Sequence, residues 1–519
     1  MRALILVAIL AGGCKKKEQP GPPLEAAASP RAPSATNEQD ALWSLAPKGT
    51  TIGIVASARG VAQFERGMVA IINLVKSASE LQSVQHDLES GLKQTFGIAS
   101  PTLAKLGLSP DRGFALFIAS GVEVVVLPVA DRDKYLEMWH GTRGKDVDTI
   151  TDYTCKVVKE LYACTSTRAM LDHVGEDGAK GKLALAGARG DVEFVMDEAP
   201  VSIAAVAQLD HGAIVLRAAL KGLPPIITAV LRDKVKPRVD PTTAAFAAVT
   251  PPLLAAMPAL PIGQGVSLAD IGGAAAGPLT VTSPAGAITL DLRMPLRDEA
   301  AAKKIIQHCS EFAPRDFGLS VDGNVCKLDA PPIHLEAWIA NKELRIGKRE
   351  DAPSGRMSPL SPIGAELAAG EWAFVFYGRG AIADGGSLAS SLTGYSDEDE
   401  RVGMRILTLV NEVGFGVRLD GDTVRMLALV RSAYSNPEPI VAKLISHTTI
   451  DLIRKHEVAD SIAKLDPKSP WANDYGAGWT GAVIPGFAIA ALVVFAGPLF
   501  EQLVPGLRDD ELPAESPSR

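Results

Sequence analysis

The residues of this chain with the clearest capacity for chemistry are its cysteines. Four lie in the body, at Cys155, Cys164, Cys309 and Cys326. If the chain is exported, an even number of thiols predicts disulfides. Three pairings are open, and local closure favours Cys155–Cys164 and Cys309–Cys326. Zinc is the rival, but no C-x2-C spacing exists and only His308 adjoins a cysteine. Other reactive constellations fail on spacing. A serine nucleophile elbow needs G-x-S-x-G, and "GGSLA" (385–389) and "GVSLA" (265–269) lack the last glycine. "GEDGAKGKL" from Gly175 misses the phosphate-loop spacing and places Leu183 where a hydroxyl must hold magnesium. "HEVAD" at His456 lacks the second histidine of a zinc-protease helix. The acidic run 397–400 has no alternating calcium ligands. It reads as favourable charge at a helix start, as does Asp131-Arg132-Asp133 after Pro128. The sequence therefore offers no catalytic, cofactor-binding or metal-binding residue, and no cofactor is expected.

The fifth cysteine, Cys14, has a different setting. Arg2 precedes an uncharged apolar run at residues 3–11, two glycines follow, and three lysines come directly after the cysteine. A positive start, a short apolar core and small residues make a secretory signal, and the core is too short to span a bilayer. "LAGGC" resembles the lipobox of bacterial lipoproteins. The resemblance implies cleavage after residue 13 and a Cys14 N-terminus that carries acyl chains, with membrane lipid as a partner. Residues 14–41, rich in Pro, Ala, Ser and charge, read as a disordered tether. The lysines beside the anchor add a basic membrane-surface patch.

Composition narrows the rest. Charged residues are 22% and apolar residues 47%, which fits a globular chain. The net charge of -8 gives no electrostatic reason to expect nucleic acid, and the 5% aromatic content weakens any case for sugar or base stacking.

The body reads as duplicated. "GFALFIASGVEVVVLPVADRDKYL" from Gly113 compares with "GPLTVTSPAGAITLDLRMPLRDEAAAKKI" from Gly277, each with a proline (Pro128, Pro295) before a charged helix start. Next, "YTCKVVKELYACT" compares with "NVCKLDAPPIHLEAWIANKEL", aligned on Cys155-Lys156 and Cys326-Lys327. Finally, the segments headed by Gly190 and Gly370 match at Leu209-Asp210 and Leu419-Asp420, and Asp420-Gly421 is a hairpin signal. Helices are expected between the hairpins. Val61, Phe64, Met68, Ile71, Ile72 and Val75 share one helical face, and so do Val402, Ile406, Leu409, Val410 and Val413. Ser100-Pro101 opens a short helix that Gly107 closes. The expected class is α+β: two similar halves, 42–235 and 236–470, of antiparallel hairpin sheets with helices packed on one face. These paired units resemble large, duplicated, uncharacterised bacterial envelope lipoproteins, a likeness that brings no catalytic residues.

Residues 475–500 contain no charge and make a candidate transmembrane helix, with Trp471, Tyr475 and Trp479 at its start. Residues 501–519 form an acidic tail. The expected function is noncatalytic binding or assembly by a membrane-anchored envelope lipoprotein, with its body in the periplasm and an envelope protein as partner. Retention in the inner membrane follows if residues 475–500 span it. The alternatives are a carrier of a lipid or other apolar ligand, and a hydrolase whose site is assembled from distant residues.

Overall fold

The computed structural model describes residues 37–62, 103–284, 291–307, 319–347, 360–379 and 410–432, apart from short gaps at 180, 211, 241–242, 257–260, 264–265 and 331–332. They lie in the first of two units of the chain, Met1–Leu444; the second, Ile445–Arg519, falls outside the described residues. Cys14, Cys309, the 63–102 and 397–400 segments, His456 and the 475–500 stretch also lie outside them. Among the described residues no helix is long and apolar enough to cross a membrane.

Nine described strands come first along the chain: β1 (Thr50–Ala56), β2 (Phe114–Ala119), β3 (Val122–Leu127), β4 (Asp148–Ile150), β5 (Tyr153–Val158), β6 (Leu161–Thr165), β7 (Val192–Glu198), β8 (Val201–Asp210) and β9 (Ala213–Lys221). Their antiparallel pairings place them in the order β4-β5-β6-β3-β2-β1-β7-β8-β9. The chain continues through β10 (Thr243–Val249) and a separate ribbon of β11 (Pro261–Gly263) and β12 (Val266–Ser267). Then come β13 (Leu279–Pro284), β14 (Asp291–Pro295), β15 (Leu319–Asp322), β16 (Val325–Ala330), β17 (Ile333–Ala340), β18 (Glu343–Gly347), β19 (Phe374–Arg379), β20 (Val410–Asp420) and β21 (Thr423–Ser432). Their order is β21-β20-β19-β10-β13-β14-β18-β17-β16-β15. The two sets join where β9 pairs with β21, from Lys221↔Thr423 to Ala213↔Arg431.

The expectation of two α+β halves, each with its own sheet, is therefore corrected. Among the described residues the architecture is one antiparallel sheet of 19 strands with few helices. A lone β9 or β21 edge would leave a row of unpaired N–H and C=O groups. Pairing the two edges satisfies both rows at once.

The helices are short: α1 (Asn37–Trp43), α2 (Arg132–Met138), α3 (Pro225–Val230), α4 (Pro251–Ala256), α5 (Leu268–Ala274), α6 (Glu299–Gln307) and α7 (Pro362–Ala369). They do not keep to one face. On β6, Ala163 joins a core of Leu42, Trp43, Phe117, Val126 and Leu171, covered by α1 and the turns at 168–186. Its neighbours Tyr162 and Cys164 join Tyr135 and Leu136 of α2 in another core. Successive strand residues point to opposite faces, so both faces are covered. A third core packs Leu367 of α7 on Phe246, Trp372, Val375, Tyr377 and Leu429. Gly53 permits the first core, since a Cβ there would stand 2.6 Å from the Trp43 ring.

Three local expectations change. Val410 and Val413 lie in β20, not in a helix. There Glu412, Gly414 and Gly416 are buried while Asn411, Val413 and Phe415 are less so, a period of two that a helical template mistakes for its own. Leu103–Leu106 is a 3-10 turn, closed by Gly107 at φ +78°. The alignment of Cys155 with Cys326 is displaced by one strand. Cys155 sits on β5, one place from the β6 strand that pairs with β3, while Cys326 sits on β16, two places from the β18 strand that pairs with β14. The structural counterpart of the β5–β6 hairpin is β17–β18. Its turn residues Asn341 and Lys342 have positive φ, as Lys159 and Glu160 do.

Candidate functional site

Loops from both strand sets meet at one end of the β9–β21 seam around a cleft of about 720 Å³. Pro200 and Ser202 come from the β7–β8 hairpin, Lys221 from the end of β9, Gly222, Leu223, Pro225, Thr228, Arg232 and Lys234 from the segment after it, and Leu419, Gly421 and Asp422 from the β20–β21 hairpin. Gly222 turns the chain out of β9 at φ +80°, where a Cβ would lie 1.8 Å from the Pro200 carbonyl oxygen. Only glycine fits both the conformation and the contact.

Charge organises the cleft. Lys234 Nζ lies 2.9 Å from Asp420, and Arg418 Nε lies 3.0 Å from the same carboxylate. Burial would raise the Asp420 pKa, but the Lys234 hydrogen bond and the Arg418 charge outweigh it and hold the carboxyl below its usual range. Lys221 pairs with Asp422 at 3.1 Å, and its hydrogen bond lowers that carboxyl too. Arg232 is exposed on the cleft wall, and no described residue pairs with its guanidinium. The hydroxyls are engaged elsewhere. Thr228 Oγ1 donates to the Pro225 carbonyl at 3.1 Å, and Ser202 Oγ donates to Asp197 at 2.7 Å. The arrangement can hold an anionic group; it does not align a nucleophile with a base.

Three buried carboxylates outside the cleft serve the framework. Asp148 receives Arg132 Nε and Nη2, both at 2.6 Å, the Tyr162 hydroxyl, and the Gly144 N–H at 2.9 Å. Burial opposes its charge, yet these donors bring its pKa below the usual value. Burial and the nearby Asp148 raise that of Tyr162. Glu193 accepts from Trp43 Nε1 and Arg189 Nε, each at 2.7 Å, and so ties α1 to β7. Glu412 accepts from Ser361, from the Tyr377 hydroxyl at 2.8 Å and from Arg431 Nε at 2.7 Å. Ser361 also caps α7 by accepting the Gly364 N–H at 3.0 Å.

Of the residues singled out in the sequence, Cys155 and Cys164 face each other across β5 and β6 and form a disulfide, with their Cα atoms 4.1 Å apart. Cys326 is disulfide-bonded as well. Asp131 caps α2 by accepting the Lys134 N–H at 3.0 Å, whereas Arg132 turns inward to Asp148. Lys182, in the false phosphate loop, donates to the Thr50 carbonyl at 2.6 Å and pairs with Asp197. Among the described residues no three metal-ligating side chains converge. Sequence reasoning missed the cleft, although a signal exists: residues 222–231 are uncharged, and four cations follow within seven residues from Arg232. No protein-family model, curated protein or solved structure matches this chain.

Proposed function

We propose that the protein is a noncatalytic lipoprotein of the bacterial cell envelope, anchored by acyl chains at Cys14, whose periplasmic body binds an envelope partner. The "LAGGC" stretch and the tether after it support the anchor. The observation that carries the binding role is the seam cleft, built by hairpins of both strand sets and walled by Arg232, which pairs with no described residue. Partner binding is favoured over the carriage of an apolar ligand. Trp43, Phe117, Leu367 and Tyr377 fill the space between the sheet and its covering segments, and the cleft carries Lys221, Arg232, Lys234 and Asp422 on its walls.

The test is purification of the acylated protein with its bound partners and lipids, identified by mass spectrometry, beside an Arg232→Glu variant. A species retained by the wild type and lost with Arg232→Glu is expected. Equal recovery with both proteins counts against the cleft. Residues 1–13 retained on the mature wild-type chain count against the anchor.

A further inference from the structure

Where the chain leaves β9 its surface changes character. Residues 222–231 are uncharged, and Lys221 and Arg232 bracket them. Pro224, Pro225 and Ile226 are exposed, and Ile226, 76% accessible, is the most exposed large apolar residue described. A single exposed isoleucine is ordinary. Its setting is not. From Leu231 onward, Leu231, Val235 and Pro237 are buried, while Arg232, Asp233, Lys234, Lys236 and Arg238 are exposed, four cations and one carboxylate. Val235 and Trp372 exchange two backbone hydrogen bonds of 2.7 and 2.9 Å, so this basic row is held against the body. Asp420 neutralises Lys234 and Asp422 neutralises Lys221. Arg232, Lys236 and Arg238 have no partner among the described residues. Asp233 offsets one of these three charges, so in a chain of net charge -8 this face keeps an excess of two cations.

We propose that the face formed by residues 222–238 docks on an anionic phospholipid bilayer, with residues 224–226 among the headgroups and Arg232, Lys236 and Arg238 on lipid phosphates. An apolar tip beside cations that no described residue pairs complements a surface that is anionic outside and apolar just beneath. The proposal names the partner of the cleft face. It rests on the lipoprotein reading only for bringing the body to a membrane.

The test uses the full-length acylated protein carrying Ile226→Cys labelled with an environment-sensitive fluorophore, with unsubstituted protein treated alike as the blank. It is mixed with vesicles of phosphatidylcholine alone or of phosphatidylcholine with phosphatidylglycerol. On the anionic vesicles the emission should shift to the blue and be quenched by nitroxide-labelled lipid, and high salt should reverse both effects. The same label at Val157→Cys, another exposed apolar position, should not respond. Each cation near an anionic surface strengthens partitioning about fivefold, so combined Arg232→Glu, Lys236→Glu and Arg238→Glu should weaken docking roughly a hundredfold or more. Ile226→Asp, which leaves the cations in place, should weaken it as well, and an unchanged circular dichroism spectrum shows that both variants fold.

Emission that is the same on both vesicle types, or unaltered by the triple variant, overturns the proposal. So does a shift that appears in detergent only when an acidic protein is bound. Flotation with neutral vesicles, compared with Cys14→Ser, reads the anchor separately. Protein that floats without a spectral shift refutes docking alone, and a shift on anionic vesicles without flotation on neutral ones refutes the anchor alone.

Discussion

Replacing Asp148 by asparagine should be one of the most damaging near-isosteric changes in the described body. The side chain is fully buried and holds the Arg132 guanidinium at 2.6 Å, while Arg132 keeps 29% of its own surface in water. Asp148→Asn keeps the volume but removes the counter-charge and puts an amide donor against a guanidinium. Losing one partner of a buried ion pair costs about 3–5 kcal/mol, and the partial hydration of Arg132 puts this site near the lower end, about 3 kcal/mol. With a urea dependence of roughly 3 kcal/mol per molar for a chain of this size, the midpoint should fall by about 1 M. Near-ultraviolet circular dichroism is the assay, since Tyr135, Trp139 and Tyr162 pack in this core. The pH dependence carries a sign. Asp148 has a folded-state pKa below its ordinary value, so its contribution is complete above about pH 4 and is lost as pH falls through the folded value. Wild type and variant should differ by a constant amount near neutrality and converge in acid. A midpoint shift under about 0.3 M near neutrality, roughly 1 kcal/mol, or a gap that persists undiminished in strong acid, would refute the reasoning.

Other outcomes follow from the same physics. Glu193→Gln leaves Arg189 with Asp40 but without its buried counter-ion and should cost at most about 3 kcal/mol in urea unfolding; a loss well below 1 kcal/mol would contradict the role given to it. Gly222→Ala forces a side chain into a left-handed turn and against the Pro200 carbonyl, and should cost more than about 1 kcal/mol; proteolysis confined to the cleft loops is the readout, and wild-type resistance would count against the turn. Nonreducing peptide mapping should recover Cys155 linked to Cys164. Replacing both by alanine reopens a loop of about ten residues, for which chain entropy gives roughly 3 kcal/mol, and an unchanged urea midpoint would show that the bond does not constrain the unfolded chain.

The sequence by itself marked features that depend on near neighbours. The Asp420-Gly421 turn, the charged helix start at Asp131, the glycine stop at Gly107 and the closure of Cys155 on Cys164 each depend on residues within about ten positions of one another. Short-range sterics and hydrogen bonding settle them with little reference to the rest of the chain. Where a local signal is absent, the sequence points the wrong way. The β17–β18 turn at Asn341-Lys342 has positive φ without glycine, so no turn signal marks this hairpin and an alignment on the cysteines lies one strand out of step.

Only the tertiary structure decided that one sheet, not two, runs through the body. The β9–β21 joint is made by backbone groups that every residue carries, and backbone groups spell no partner in the sequence. Burial likewise had to be seen. Asp148, Glu193 and Glu412 look like surface carboxylates in a chain with 60 acidic residues, yet each lies inside among donors from distant segments. The seam cleft has the same origin. Pro200, Arg232 and Asp422 are strangers in sequence, and they line one cavity because the joint brings three loops to the same end of the sheet.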